Sequence, residues 1–308
     1  MSNTNKIAAV FTGQGSQRPG MAQDFYENYD VAKKIFHEAS EAINEDLPAL
    51  CFEENERLDL TEYTQPAIVT TEIAIYSVIA EKYGFAPQYF AGHSLGEYAA
   101  LVAAGVIPFS DAIKIVKERG RLMQEAVPEG VGAMAALIAD DLEATDYLNI
   151  TQEAGAEVAN YNSSGQVVIS GKKETVAEAL EVLGKQYPEM RLIPLAVSAP
   201  FHSSLMAVIE PKFRNFLDGF TGNFNTEKVE QVLSNFSGGF HTAESLVDNL
   251  IQQLSGSVRW TQNMQVLKDT GASIYEIGPN KVLAKFFTTI DVTVPAIINE
   301  RSAKKAFE

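Results

Sequence analysis

The sequence predicts an α/β fold, a mainly parallel sheet with crossover helices, into which a smaller α/β unit is inserted. Three observations carry this expectation. Short apolar runs alternate with helix-length segments at both ends of the chain, and parallel strands require such crossovers. The run Gly92-His93-Ser94-Leu95-Gly96 stands between a strand-like and a helix-like stretch. Between the two halves, residues 133–195 read strand, helix, strand, strand, helix, strand, which is the ferredoxin-like order.

The elements follow in order. Ile7-Ala8-Ala9-Val10-Phe11 is apolar throughout and reads as a buried strand ending in the glycine-rich loop Thr12-Gly13-Gln14-Gly15-Ser16-Gln17. Residues 20–45 read as broken helix. Pro66 to Tyr83 reads as a long helix, with proline at its start because a first turn has no N–H bond to lose. Tyr89 to Ala91 is a short strand into the serine turn, and Leu95 to Gly105 follows with Leu, Ala and Val at helical spacing. Ser110 and Asp111 are placed to cap a helix from Ala112 to about Val127. Pro128-Glu129-Gly130-Val131-Gly132 reads as a boundary. The insert then runs through strand Ala133 to Ala139, helix Asp141 to Glu153, strands Ala156 to Asn160 and Gln166 to Ser170, helix Lys173 to Tyr187 and strand Arg191 to Leu195. After Pro200 come a helix from Ser203 to Leu217, a strand at Val229 to Leu233, helices Glu244 to Leu254 and Thr261 to Thr270, and strands Ile274 to Ile277 and Ala296 to Ile298. The division is a core of residues 1–130 and 199–308 and an insert of residues 131–198.

Composition narrows the function. At 308 residues and 46% hydrophobic content the chain can bury a large core. No apolar run reaches the roughly 18 residues of a membrane span, so no membrane partner is expected. Met1 to Lys6 is polar, without the character of a signal peptide. Cys51 is the only cysteine, which fits a reducing, cytoplasmic setting and reads as a small buried apolar residue. A net charge of −16 argues against nucleic acid and obliges any anionic substrate or partner to find a local positive site.

Glycines on both sides of Ser94 allow the tight strand-to-helix turn that exposes a serine nucleophile. Such a hydroxyl needs a base within hydrogen-bond reach. Of the four histidines, His37 falls on an exposed helix and His241 in a glycine-rich loop. His93 adjoins the serine, but neighbours at a sharp turn point apart, which favours a scaffold role. His202, at the return from the insert, is the preferred base, with His93 the alternative. Arg119 lies in a helix; a solvated face or surface ion pair is its ordinary use, and a bidentate clamp on a carboxylate the other. The loop at Gln14 lacks the Lys-Ser/Thr of a phosphate cradle, so an oxyanion-donor role is preferred there, with the amide after the serine, Leu95, as second donor.

Taken together these segments resemble the malonyl-CoA:acyl-carrier-protein transacylases and the acyltransferase domains of polyketide synthases. The matching stretches are Phe11 to Gln17, Thr64-Gln65-Pro66-Ala67, Gly92 to Tyr98, Arg119 to Gln124, Gly132 to Ala135, Asn160-Tyr161-Asn162, Gln166 to Gly171, Phe201 to Met206, Val258-Arg259-Trp260 and Glu276 to Pro279. The resemblance implies an α/β-hydrolase-like core with a ferredoxin-like insertion. It implies Ser94 as nucleophile, His202 as base, the Gln14 and Leu95 amides as oxyanion hole and Arg119 as the malonyl clamp. It implies a main-chain carbonyl, that of Gln253, in place of a triad carboxylate. Gln65, Met123, Asn162 and Val282 would line the pocket less directly. Phe201, before the histidine, implies malonyl rather than methylmalonyl. Ser234-Asn235-Phe236-Ser237-Gly238 departs from the family pattern, which bears on the surface near the pocket mouth, and no Pro precedes Val258.

The expected activity is transfer of malonyl from coenzyme A to the phosphopantetheine thiol of a holo acyl carrier protein in fatty acid synthesis, through a malonyl-serine ester. The coenzyme A thioester enters as substrate, and no bound cofactor or metal is expected. The rivals are a freestanding acyltransferase loading polyketide synthase carriers, a hydrolase of stalled acyl carriers, against which Arg119 argues, and an inactive carrier-binding scaffold. Carrier proteins are acidic, so docking calls for a basic patch, for which Lys172, Lys173, Lys281, Lys285 and Arg214 are candidates.

Overall fold

The structure, a computed structural model, describes residues 6–128, 130–197 and 199–308. Residues 1–5, Glu129 within the expected boundary and Ser198 at the end of the insert lie outside the described residues.

Strands β1 (Ile7–Phe11), β2 (Tyr89–Gly92), β7 (Ser273–Ile277) and β8 (Ala296–Ile297) form a parallel sheet in the order β2-β1-β7-β8. β1 is buried on both faces, which is why it reads as continuous hydrophobicity rather than alternation. Its Ala9 and Phe11 belong to the large core with the helices Thr61–Tyr83 and Gly96–Ala103. Ala8 and Val10 face a second cluster built from Trp260, Met264, Leu267, Leu283 and Phe287.

Strands β3 (Gly132–Ile138), β4 (Glu157–Ser163), β5 (Gln166–Lys172) and β6 (Arg191–Pro194) form a separate antiparallel sheet in the order β4-β5-β3-β6. Helices Tyr147–Glu153 and Lys173–Gln186 connect β3 to β4 and β5 to β6. The period-2 pattern of β3 assigns its faces. Ala135 and Leu137 pack with Ile150, Val176 and Leu183 in a core of the small sheet, whereas Met134 and Ala136 join the large core. Edge strand β4 is tied to the rest of the chain by Val258, whose N–H donates to Ala159 at 2.8 Å and whose carbonyl accepts from Tyr161 at 2.9 Å.

Several elements differ from expectation. The long helix starts at Thr61, five residues before the expected Pro66, so the proline lies inside it. Ser110 and Asp111 do not cap: the helix Phe109–Glu125 begins earlier, after Pro108, and Asp111 instead accepts from Asn223 at 2.8 Å. The helix expected from Asp141 begins only at Tyr147. The helix expected from Ser203 opens as a 3-10 segment, Ser204–Ile209, before Glu210–Leu217. Val229 to Leu233 is not a strand; a 3-10 segment, Thr226–Gln231, fills most of it, and only isolated bridges remain, Val232 to Phe90 and Leu233 to Phe240. Its apolar residues Val229, Val232 and Leu233 are buried while Glu230 is exposed, and so few residues do not separate strand from turn. No helix of the described residues is long and apolar enough to cross a membrane.

Candidate active site

β1 and β2 are adjacent and parallel, so the Gly13-Gln14 loop and the His93-Ser94 turn emerge side by side at one sheet edge. Ligand sites of open α/β sheets lie at the carboxyl ends of the strands. The turn works only with glycine on either side. A Cβ on Gly92 would run into the Gly96 backbone, and one on Gly96 would run into the carbonyls of Phe11 and Thr12. Ser94 itself has φ 51°, a left-handed conformation that is unfavourable for a non-glycine residue. Asn235 holds it there: its Oδ1 accepts from the Ser94 N–H and its Nδ2 donates to the Gly92 carbonyl at 2.7 Å.

His202 comes from the return after the small sheet, also left-handed at φ 57°. Its Nε2 lies 2.7 Å from the Ser94 Oγ, and its Nδ1 lies 2.8 Å from the carbonyl oxygen of Gln253, just past the helix Leu246–Gln252. A carbonyl can only accept, so Nδ1 carries the proton and Nε2 is free to receive one from the serine. Burial pushes this imidazole from the ordinary 6.5 down to about 3; the Arg119 charge adds to the effect and the Gln253 carbonyl opposes it. His93 serves otherwise. Its Nε2 is 2.8 Å from the Asn162 Oδ1, and its ring sits edge-on to Trp260, so it does not face the serine as a base.

Arg119 is 1% exposed, which removes its reading as a solvated or surface-paired residue. It donates to the Gln65 Oε1 at 2.9 Å, the Gln253 Oε1 at 2.8 Å and the Ser94 Oγ at 3.2 Å. Burial pushes the guanidinium below its ordinary value, opposed by Tyr98 and Glu97. It stays charged all the same, because its starting value is so high. The Ser94 Oγ thus accepts from Arg119 while its own proton points at His202.

These groups line a cavity of about 560 Å³ between the parallel sheet edge and the small sheet. Gln14, Gln65, Leu95, Met123 and Phe201 lie in its wall as expected. Met123 also accepts from the Gln65 Nε2 through its sulfur at 3.6 Å. Among the described residues, the Gln14 and Leu95 N–H groups donate to no other backbone group. The Gln14 loop is braced from below, with Thr12 Oγ1 donating to Glu72 at 2.7 Å and Ser16 Oγ to the Gly13 carbonyl at 2.7 Å.

Asn162 and Val282, expected to line the pocket less directly, are not in the wall itself, although Asn162 bonds to His93, which is. Asn162 uses its carbonyl oxygen on His93, and Asn160 faces the cavity instead, on a stretch of β4 with register shifts on both sides. Val282 stands at the start of helix Leu283–Phe287, its N–H held by Glu276 at 2.8 Å. The stretch at Ser234 to Gly238 likewise does not act as a mouth surface through Asn235, which is fully buried under the serine turn. Other contributors escaped the sequence reading: Glu97, His241 and the Gln253 side chain, all fully buried. Glu97 lay inside the serine motif; the only signal was a charged residue at the apolar start of a helix.

The chain matches the acyl transferase domain family over residues 9–284. It is 43% identical over 286 residues to the malonyl CoA-acyl carrier protein transacylase of Bacillus subtilis (strain 168), covering 91% of this chain and 89% of that protein. It is 42% identical over 308 residues to the transacylase of the same name from Escherichia coli (strain K12), covering 98% of both. A solved malonyl-transacylase in complex with its type II polyketide synthase acyl-carrier protein superposes with a TM-score of 0.92 at 38% identity, covering 98% of this chain and 99% of that one. A serine turn, a buried histidine on a carbonyl and a buried arginine at one cavity thus accompany similarity along nearly the whole sequence, and the chain belongs to the malonyl-CoA:acyl-carrier-protein transacylase family.

Proposed function

We propose that this chain transfers malonyl from coenzyme A to the phosphopantetheine thiol of an acyl carrier protein through a malonyl ester on Ser94. The observation that carries the reading is the pair of contacts at one oxygen: Ser94 Oγ to His202 Nε2 at 2.7 Å and to Arg119 at 3.2 Å. His202 Nε2 takes the hydroxyl proton as Oγ attacks the thioester carbonyl. The negative charge that develops on the carbonyl oxygen is met by the Gln14 and Leu95 amides, the latter at the start of an eight-residue helix. Collapse breaks the carbon–sulfur bond, and His202 returns the proton to the departing thiolate. The carrier thiol then gives its proton to His202, attacks the ester carbonyl and releases Ser94, which regains the proton.

Arg119 supplies the acyl specificity. A buried guanidinium is the group to receive a malonyl carboxylate, which would otherwise be desolvated without a partner. Gln65 and Gln253 hold it in place. Phe201 limits room beside the acyl carbon. We read the parallel sheet with its flanking helices as an α/β-hydrolase-like core. The small sheet reads as a ferredoxin-like insert, for which its strand order and two crossover helices speak. The division into residues 1–130 with 199–308 and residues 131–198 follows those two sheets. Substrate is the coenzyme A thioester, with no bound cofactor, and a cytoplasmic setting fits the single, buried Cys51. Of the basic residues suggested for carrier docking, Arg214 is engaged by Asp248 at 2.6 Å, which leaves Lys172, Lys173, Lys281 and Lys285 as candidates.

Fatty acid synthesis is the pathway proposed. Loading of polyketide carriers is the second reading, favoured by the likeness to a transacylase solved with such a carrier. The test is intact-protein mass spectrometry after exposure to malonyl-CoA, then to holo carrier protein. A malonyl adduct that is lost to the carrier and absent from Ser94→Ala supports the proposal; an equal adduct on the alanine variant overturns it.

A further inference from the structure

Behind the serine lies a buried polar cluster that the transfer steps do not use directly. Glu97 is fully buried in the first turn of the helix after Ser94. Both of its oxygens are occupied. Oε1 lies 2.8 Å from His241 Nε2; Oε2 accepts from Gln253 Nε2 at 2.7 Å and from the Asn235 N–H at 2.9 Å. The Asn249 Nδ2 donor faces His241 Nδ1 at 3.2 Å, which places the proton of a neutral ring on Nε2, toward Glu97.

We propose that Glu97 is a positioning residue that, acting through the Gln253 side chain, holds the Arg119 guanidinium open for an acyl carboxylate. A carboxylate only accepts and a guanidinium only donates, so the amide between them has one orientation. Gln253 Nε2 points to Glu97 and to the Ser94 carbonyl at 3.1 Å, and Oε1 points to Arg119 at 2.8 Å. The counter-charge of the buried arginine therefore stands one amide away. A carboxylate in direct contact would occupy the N–H groups that a substrate must use. No counter-charge at all would leave a buried cation uncompensated. The interposed amide meets both demands, and it belongs to the residue whose main-chain oxygen holds His202.

The inference rests on the roles proposed above for Ser94, His202 and Arg119. Its test is the ratio of kcat/KM for malonyl-CoA to that for acetyl-CoA, a quantity that general loosening of the fold would not shift selectively. Glu97→Gln keeps the volume but sets a donor against a donor, toward either Gln253 and Asn235 or His241. The ratio is expected to fall about tenfold, roughly 1.4 kcal/mol, a coupling of the size found within one hydrogen-bond network. Gln253→Met removes the relay while keeping the main-chain oxygen and is expected to lower the ratio by a similar factor. The double variant is expected to match Gln253→Met within about twofold, the usual error of additivity. An unchanged ratio in folded Glu97→Gln overturns the inference, as do two effects that multiply. Should Glu97→Gln fail to fold, Gln253→Met decides alone, and an unchanged ratio there overturns it. Failure of the underlying reading shows separately, as the absence of a malonyl adduct on unmodified protein.

Discussion

The imidazole of His202 rests on the main-chain oxygen of Gln253, 2.8 Å from Nδ1, and not on a carboxylate. A neutral dipole orients the ring but stabilises its protonated form less than a charge does. With burial and the nearby Arg119 charge acting in the opposite direction, the ring stays neutral far below the ordinary histidine range.

With the folded value of His202 near 3 against 6.5, the base form persists as acid is added, so the acid limb of kcat/KM for malonyl-CoA is expected well below pH 6.5. Stability moves with the same linkage: between those two values the unfolded chain binds a proton that the folded chain does not, so stability falls as pH drops through the window. A pH profile whose acid limb has its midpoint at 6.5 or above would refute the depressed value.

In the proposed mechanism His202 serves both half-reactions. His202→Ala is expected to slow acylation and transfer each by about 10²–10⁴-fold. Pre-steady-state mass spectrometry separates the two steps. Near-normal acylation would transfer the role to another group, despite the 2.8 Å bond that His93 makes to Asn162.

Arg119→Ala should cost malonyl far more than acetyl. Its loss strands the malonyl carboxylate without a partner, at a cost of roughly 2–5 kcal/mol for a buried charge pair. Acetyl has no carboxylate to strand. The malonyl-to-acetyl ratio of kcat/KM is the readout, and a fall of less than about threefold, roughly 0.65 kcal/mol, would sink the clamp.

Phe201 is 7% exposed and forms part of the cavity wall. The unmodified protein is expected to prefer malonyl-CoA over methylmalonyl-CoA by about tenfold or more, the range that one extra methyl commands in a packed site. Phe201→Ser should narrow the gap by opening that space. Equal kcat/KM values for the two thioesters before substitution would show that Phe201 does not set the pocket.

What the sequence determined by itself was much of the local conformation, though not the late start of the helix at Tyr147 or the 3-10 segment Thr226–Gln231. The apolar run Ile7 to Phe11, the glycines around Ser94 and the strand-helix order of residues 133–195 each write their own conformation, because period and steric demand act over neighbouring residues. The order of the strands, the burial of Arg119 and the meeting of residues 94, 119, 202 and 253 were decided only by the tertiary structure. Arg119 illustrates the difference: in a helix with a polar face it reads as solvated, and only packing against Gln65 and Gln253 withdraws it from water. Asn162 and Val282 illustrate the converse: Asn162 stands one hydrogen bond behind the wall residue His93, and the Val282 N–H is held by Glu276, so neither is in the lining itself. Glu97 and His241, far apart in the chain, become one buried pair because the fold excludes water there and each must find a partner within the protein.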